Sequence, residues 1–160
     1  MQFFTEAAAK LPVMKELRAA RAARISPVSL TGVSQIHKAQ ILFTLSLEQP
    51  LLVVLPDESA VRQLCEDINF MAGCRIAHPY PSKELNFLET AGISREYEHL
   101  RLSALSALCN GECRVLAASA EAVMQYTLPR DVLTARTLHI KVGESYDRAT
   151  LTDALLRYSQ

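Results

Sequence analysis

The chain has 160 residues, of which 49% are apolar and 21% are charged, as expected for one ordinary globular domain with room for the start of a second. Lys+Arg and Asp+Glu number 17 each, so no net charge favours nucleic acid. Apolar runs stay shorter than the roughly 18–20 residues that span a bilayer, and Glu6, Lys10 and Lys15 interrupt any signal-peptide core. We therefore expect a cytoplasmic protein with no membrane partner.

The N-terminal segment 5–24 predicts a basic helix. It is rich in Ala, Leu, Lys and Arg, which favour helix, and Pro12 suits the first helical turn. Arg18, Arg21 and Arg24 recur every three residues and predict one basic face. In some proteins such a face binds phosphates or an acidic partner, although a basic face that is only exposed to solvent is more common.

A degenerate phosphate-binding loop follows the short apolar run 28–30. Counted against the pattern G-x-x-x-x-G-K-[ST], the chain keeps the first Gly as Gly32 and the Lys as Lys38. His37 stands at the second Gly, and Ala39 stands at the hydroxyl that would hold Mg²⁺. A chance spacing of one Gly and one Lys accounts for Gly32 and Lys38 as well as descent from a phosphate-binding loop does.

The altered residues argue against nucleotide binding in either case. An imidazole at His37 crowds the concave side of the loop, and Gln35 also replaces the small residue that a phosphate nest prefers. Ala39 has no oxygen for a metal. We expect no ATP hydrolysis here, and we expect no nucleotide at the vestigial loop, which comprises Gly32, Gln35, His37, Lys38 and Ala39.

Alternating strand and helix patterns predict the α/β class. Residues 51–55 form a continuous apolar run, typical of a strand that is buried on both faces of a parallel sheet. Asp57 then predicts a helix cap, and the helix should end near Gly73. Its predicted buried stripe is Val61, Leu64, Cys65, Ile68 and Met71.

The second half repeats this alternation. Short strands are predicted at 75–77, where residues 78–81 (His-Pro-Tyr-Pro) should stop the strand, and at 114–118 and 138–142. Ser94 should cap a helix that ends at Asn110-Gly111 and has Tyr97, Leu100, Ala104 and Leu108 on one face. Ser119 should cap a short helix through Met124, and residues 129–134 suit a turn or short helix.

The C-terminal segment predicts a last helix. Gly143 should close the last strand before a helical stripe of Leu151, Ala154, Leu155 and Tyr158. The final stripe lacks a stop signal, which suggests a fragment of a longer protein. Strands separated by helices imply right-handed crossovers and a three-layer domain.

Neither the cysteines nor the histidines form a recognisable site. Zinc-site spacing is absent around Cys65, Cys74, Cys109 and Cys113, which we interpret as reduced thiols. The histidines are scattered at His37, His78, His99 and His139. We therefore predict no catalytic residue and no metal ligand.

The order of several segments resembles the N-terminal UvrB-like module of the Mfd family, the bacterial transcription-repair coupling factors. The matching segments are Leu-Thr-Gly-Val-Ser at 30–34, Leu-Leu-Val-Val-Leu-Pro-Asp-Glu at 51–58 and Cys-Glu-Asp-Ile at 65–68. They continue with residues 78–81, Arg95-Glu96, Arg101-Leu102, residues 115–119 and residues 138–144. The resemblance covers about residues 11–160.

The resemblance implies a fold and a role. The fold would be the P-loop-NTPase-like first domain of UvrB, a three-layer parallel sheet flanked by helices with a degenerate phosphate loop. The domains would be a helical arm at 1–24, a UvrB-like domain 1a at 25–136 and the start of domain 2 at 137–160. Full-length family members displace RNA polymerase stalled at DNA lesions and recruit UvrA for nucleotide excision repair. Their helicase-like motor, which uses ATP and Mg²⁺ and binds double-stranded DNA, would lie outside this chain.

We therefore expect a non-catalytic scaffold whose nearest partners are other domains of the same protein, because most of the UvrA-contacting surface belongs to domain 2. UvrB also carries a DNA-pinning β-hairpin, whereas residues 77–94 here show no hairpin pattern. Tyr80 and Phe87 remain candidates for base stacking, although such aromatics more often pack on their own domain. The alternative function is a stand-alone nucleotide-binding or Rossmann-like regulatory domain.

Overall fold

A computed structural model describes residues 10–82, 96–138 and 140–158 of the chain. Its contacts divide the chain into two compact units, Met1–Tyr126 and Thr127–Gln160. The helices are α1 (Pro12–Ala22), α2 (Gln35–Ser46), α3 (Glu58–Ala72), α4 (Glu96–Cys109), α5 (Ala120–Met124), α6 (Arg130–Ala135) and α7 (Arg148–Tyr158). The strands are β1 (Leu51–Leu55), β2 (Ala77–Tyr80) and β3 (Val115–Ser119).

The first unit is an α/β domain built on a three-stranded parallel sheet in the order β1-β3-β2. Leu51 and Ala77 both lie in register with Val115 of the central strand. A helix follows each of β1 and β2 in the sequence before the next strand begins. The predicted α/β class is confirmed, as are the predicted alternation and the parallel pairing of residues 51–55.

Helices α2 and α3 cover one face of the sheet. The Asp57 carboxylate accepts a hydrogen bond from the Ala60 N–H at 2.8 Å and caps α3, which ends at the left-handed Gly73 (φ 66°). All five residues of the predicted stripe on this helix are buried, and they pack against Ala39, Phe43, Val115 and Ala117. Burial of each large aliphatic side chain contributes about 1.5–3 kcal/mol. The predicted cap, stop and stripe of α3 are confirmed.

The opposite face is covered only in part by the described residues. Helices α4 and α5 place Ala104 and Ala122 against Tyr80 and Ala118 there. Leu52 and Val54, which point to the same face from the edge strand β1, remain 61% and 51% exposed. The prediction that residues 51–55 are buried on both faces is wrong, because α4 packs over β2 at the other edge of the sheet.

Strand β2 begins two residues later than predicted. The expected strand was 75–77, yet the observed strand includes Pro79 and ends at Tyr80. Proline is tolerated because β2 is an edge strand, whose outer side needs no N–H. The Asn69 side chain of α3 holds the start of this strand, since it accepts from the Ala77 N–H at 2.8 Å and donates to the Ala77 carbonyl at 2.9 Å.

The buried face of α4 differs from the predicted stripe. Arg101, Ala104 and Ala107 are buried, whereas Leu100 and Leu108 are 37% and 40% exposed. The short alanine side chains let the helix lie close to the sheet, which a periodicity of large residues does not reveal. The predicted cap Ser94 and the predicted loop position of Phe87 fall within 83–95, outside the described residues.

The second unit contains α6 and α7, and α6 confirms the short helix predicted near residues 129–134. The strand predicted at 138–142 is wrong: none of the described residues in that range is in a strand, and Val142 is fully exposed in a turn with Gly143 (φ 91°). The Lys141 N–H donates to the Tyr146 hydroxyl at 2.8 Å. A strand requires a paired neighbour, and β1, β2 and β3 pair only with one another.

Candidate functional site

The predicted vestigial loop leads into the N-terminal end of α2. Gly32 is left-handed (φ 73°), a backbone conformation that favours glycine, and open space surrounds the position of a Cβ there. Ser34 is the N-cap residue, but its hydroxyl makes no capping bond and lies 2.9 Å from His37 Nδ1. The Lys38 N–H donates to the Ser34 carbonyl at 2.9 Å. In the first helical turn, the Lys38 N–H and the His37 ring are therefore paired with the carbonyl and the hydroxyl of Ser34.

The apolar run 28–30 before this loop is not a strand. Val28 and Leu30 are 48% and 42% exposed, and the sheet order contains no strand from this segment. The context expected of a phosphate loop is a buried strand that leads directly into the loop. The short apolar run 28–30 does not supply this context, because these residues pair with none of the described strands.

Helix α2 leads into the first strand of the sheet. Only residues 47–50 connect α2 to β1, and α2 packs against α3 and β1. The side chains at the start of α2 do not suit a phosphate loop. Ala39 is fully buried in the core with Phe43, whereas Lys38 is exposed to solvent.

A glutamate occupies the carboxyl edge of the sheet. Glu58 Oε1 accepts from the Ser119 hydroxyl at 2.6 Å and from the Ser82 N–H at 2.9 Å. Ser119 Oγ in turn accepts from the Ala122 N–H at 3.1 Å and caps α5, as predicted. The carboxylates of Asp57 and Glu58 thus lie at the N-terminus of α3, where the helix dipole would attract an anionic ligand. The chain's own carboxylates take this anion position.

Arg101 joins α4 to the segments that follow β2 and α5. Its guanidinium donates to the Pro81 carbonyl at 2.8 Å, to the Tyr80 hydroxyl at 2.6 Å and to the Tyr126 carbonyl at 3.1 Å. It also donates to Gln125 Oε1 at 3.3 Å, and it lies 3.9 Å from the centre of the Tyr80 ring. Since Tyr80 is 4% exposed, it cannot stack on a nucleobase, and the base-stacking candidate at this position is wrong.

Of the described histidines, His37 lies beside a serine hydroxyl, 2.9 Å from Ser34 Oγ in an exposed contact. His78 on β2 is buried, and neither of its ring nitrogens has a hydrogen-bond partner among the residues described. Burial lowers the pKa of His78, and the nearby Arg75 lowers it further, while Glu112 acts in the opposite direction. His37 lies on α2 at the Ser34 hydroxyl, His99 is exposed on α4, and His139 is outside the described residues. A Ser–Glu contact without an imidazole does not activate a serine, so Ser119 and Glu58 act as a structural pair.

The cysteines fall into a buried pair and a more accessible pair. Burial raises the pKa of Cys65 to about 12 and that of Cys113 to about 11, so both stay protonated and unreactive. Cys74 is exposed and Cys109 is half-buried, and all four thiols are free. In the described residues there is no group of three or more His, Cys, Asp or Glu side chains that suits a metal ion.

The predicted basic face of α1 meets an acidic residue of the same chain. Glu48, in the turn after α2, accepts from Arg18 Nε at 2.7 Å and from Arg21 Nη1 at 2.9 Å. Each pair is partly exposed, so it contributes about 1 kcal/mol or less. Arg24 is exposed just beyond the helix with a left-handed backbone (φ 54°). The helix itself begins at Pro12, as predicted.

Glu58, Ser82 and Arg101 were not among the residues predicted to matter, although each lies in this network of hydrogen bonds. Position alone offered a signal for Glu58, because it directly follows the cap at the carboxyl end of a strand. No signal marked Arg101, since a helical arginine is ordinarily exposed and only the tertiary structure supplies its four acceptors.

Across the described part of the chain, no helix is long and apolar enough to cross a membrane. Comparisons of the chain with protein-family models, with curated proteins and with solved structures found no significant match.

Proposed function

We propose that this chain is a non-catalytic scaffold module of the kind found at the N-terminus of the transcription-repair coupling factors. Its task would be to support repair-factor recruitment and control of the motor, through contacts with other domains of the same protein. RNA polymerase, UvrA and double-stranded DNA would be partners of the full-length protein. ATP and Mg²⁺ would belong to its motor.

One observation carries this proposal: a left-handed Gly32 precedes α2 as in a phosphate loop, but the side chains of the vestigial loop lack the chemistry of such a loop. Ala39, at the metal-binding position of the pattern, is buried in the core, and the His37 ring lies on the first turn. Glu58 and Asp57 bring negative charge to the N-terminus of α3. These features support descent from a P-loop-like domain without nucleotide binding.

A thermal-shift titration with ATP–Mg²⁺ tests the proposal. We expect no change in melting temperature, because Lys38 alone provides a solvated point charge, worth about 1 kcal/mol or less. A ligand at about a hundred times its dissociation constant would instead stabilise the fold by roughly 2.7 kcal/mol. Lys38→Ala should behave like the wild type.

A nucleotide-dependent shift that disappears in Lys38→Ala would overturn the scaffold proposal. It would favour the alternative, a nucleotide-binding regulatory domain. The solvent-exposed Lys38 at the start of α2 is the observation that keeps this alternative testable.

A further inference from the structure

A groove runs along α1 and the chain segment that follows this helix. Two adjoining hollows of about 310 and 440 Å³ form the groove, and both are lined by Leu17, Ile25 and Val28. One side is a single helical stripe, with Val13, Leu17 and Ala20 spaced three or four residues apart. The groove lies within the first unit of the chain.

The wall of the groove opposite α1 exposes apolar side chains to water. Ile25, Val28 and Leu30 are 59%, 48% and 42% exposed, and all three line the groove. Exposed apolar side chains scattered singly are ordinary, but a cluster of them inside a concavity marks an interaction surface. This wall therefore fits aliphatic side chains from a partner.

Charge is distributed unevenly along the same helix. Residues 10–24 carry five basic side chains and one acidic side chain, a net charge of +4 in a chain whose net charge is zero. Glu16 lines the groove at one end, whereas Arg21 and Arg24 line it at the other. Five residues separate Glu16 from Arg21, which is roughly 7.5 Å along the helix, and Arg24 lies beyond the helix end.

The positive end of the groove is only partly neutralised. Glu48 pairs with Arg18 and Arg21 together, so one carboxylate faces two guanidinium groups. No ion pair of Arg24 occurs within the described ranges, and its side chain is exposed. The charge that remains complements a carboxylate at this end of the groove.

We propose that the groove binds a short protein segment with aliphatic side chains along its length and acidic residues at the end that meets Arg21 and Arg24. The apolar walls favour such a segment over nucleic acid, whose phosphates would also meet the carboxylates of Glu16 and Glu48. This interaction is independent of the scaffold role proposed above, because it rests on α1, residues 25–30 and the segment 45–51 and uses no residue of the vestigial loop.

Selection from a random twelve-residue peptide library, displayed on phage and panned against the whole chain, tests the proposal. We expect enriched peptides that combine Leu, Ile or Val with Asp or Glu grouped at one end. In fluorescence titrations, Ile25→Asp and Arg24→Glu should each weaken binding of an enriched peptide at least tenfold. A peptide with Lys in place of its acidic residues should regain affinity for Arg24→Glu.

Two control variants carry the same changes outside the groove. Ile36→Asp and Arg62→Glu alter exposed residues of α2 and α3 and should leave peptide binding unchanged. Melting temperatures verify that every variant is folded. The proposal fails if no peptide is enriched, if enriched peptides are basic, or if Ile25→Asp binds them normally. It also fails if duplex DNA displaces the peptides.

Discussion

His78 is a buried imidazole whose two ring nitrogens lack hydrogen-bond partners among the described residues. Burial favours the neutral ring and lowers its pKa in the folded state below the usual 6.5. Between these two pKa values the unfolded chain binds more protons than the folded chain. The contribution of His78 to stability is therefore complete above about pH 6.5 and is lost as the pH falls through the folded-state value.

We predict that the free energy of unfolding decreases below pH 6.5, with a contribution from His78 of up to about 1.4 kcal/mol per pH unit. His78→Phe keeps an aromatic ring of similar shape and removes the titration, so its unfolding curve should be flatter between pH 6.5 and 5. Urea denaturation at several pH values measures this slope. A wild-type slope in His78→Phe would contradict the prediction.

At the scale of elements, the two helices that frame β1 begin in different ways. Asp57 caps α3 through a 2.8 Å bond from the Ala60 N–H, whereas Ser34 makes no capping bond to the backbone of α2. We predict that Asp57→Ala lowers the free energy of unfolding by about 0.5–2 kcal/mol. Ser34→Ala should change it by less than about 0.5 kcal/mol. Chemical denaturation of both variants provides the comparison, and equal losses would contradict the capping argument.

Arg101 provides the second prediction at this scale, because it connects α4 to residues 80–81 and 125–126. Arg101→Met fills similar space but leaves the Pro81 and Tyr126 carbonyls without their donor, so we expect a loss of about 2–4 kcal/mol in unfolding free energy. Arg101→Lys should recover only part of this loss, because an ammonium cannot reproduce the planar fork of a guanidinium. Equal stability of Arg101→Met and the wild type, measured by urea denaturation, would contradict this role.

At the scale of the whole molecule, the described residues cover one face of the sheet more completely than the other. Adjacent residues of β1 test this directly, since Val53 packs against the core cluster and Val54 is 51% exposed. We predict that Val53→Thr lowers the unfolding free energy by about 1–2 kcal/mol, because it places a hydroxyl in the apolar core. Val54→Thr should cost less than about 0.5 kcal/mol. Similar losses in the two variants would show that both faces of β1 are buried.

Several features followed from the sequence because they depend on neighbouring residues. The cap at Asp57, the stop at Gly73 and the stripe of α3 require only spacing along one helix, and the start of α1 requires only Pro12. The lack of a side-chain hydroxyl at Ala39 also follows from the sequence, because it is a property of one position. Local propensity and side-chain periodicity specify such features before any tertiary contact forms.

Other features arose only when distant segments met. Glu58 gained its role from Ser82 and Ser119, which lie 24 and 61 residues away in the sequence. The exposed face of β1 depends on where α4 packs, and the predicted strand at 138–142 is missing because no strand pairs with it among the described residues. The sequence by itself thus determined the α/β alternation and the side-chain chemistry at residues 32–39. Tertiary structure alone decided which faces are covered and which polar groups meet at the carboxyl edge, because burial and hydrogen bonding between remote residues depend on three-dimensional packing.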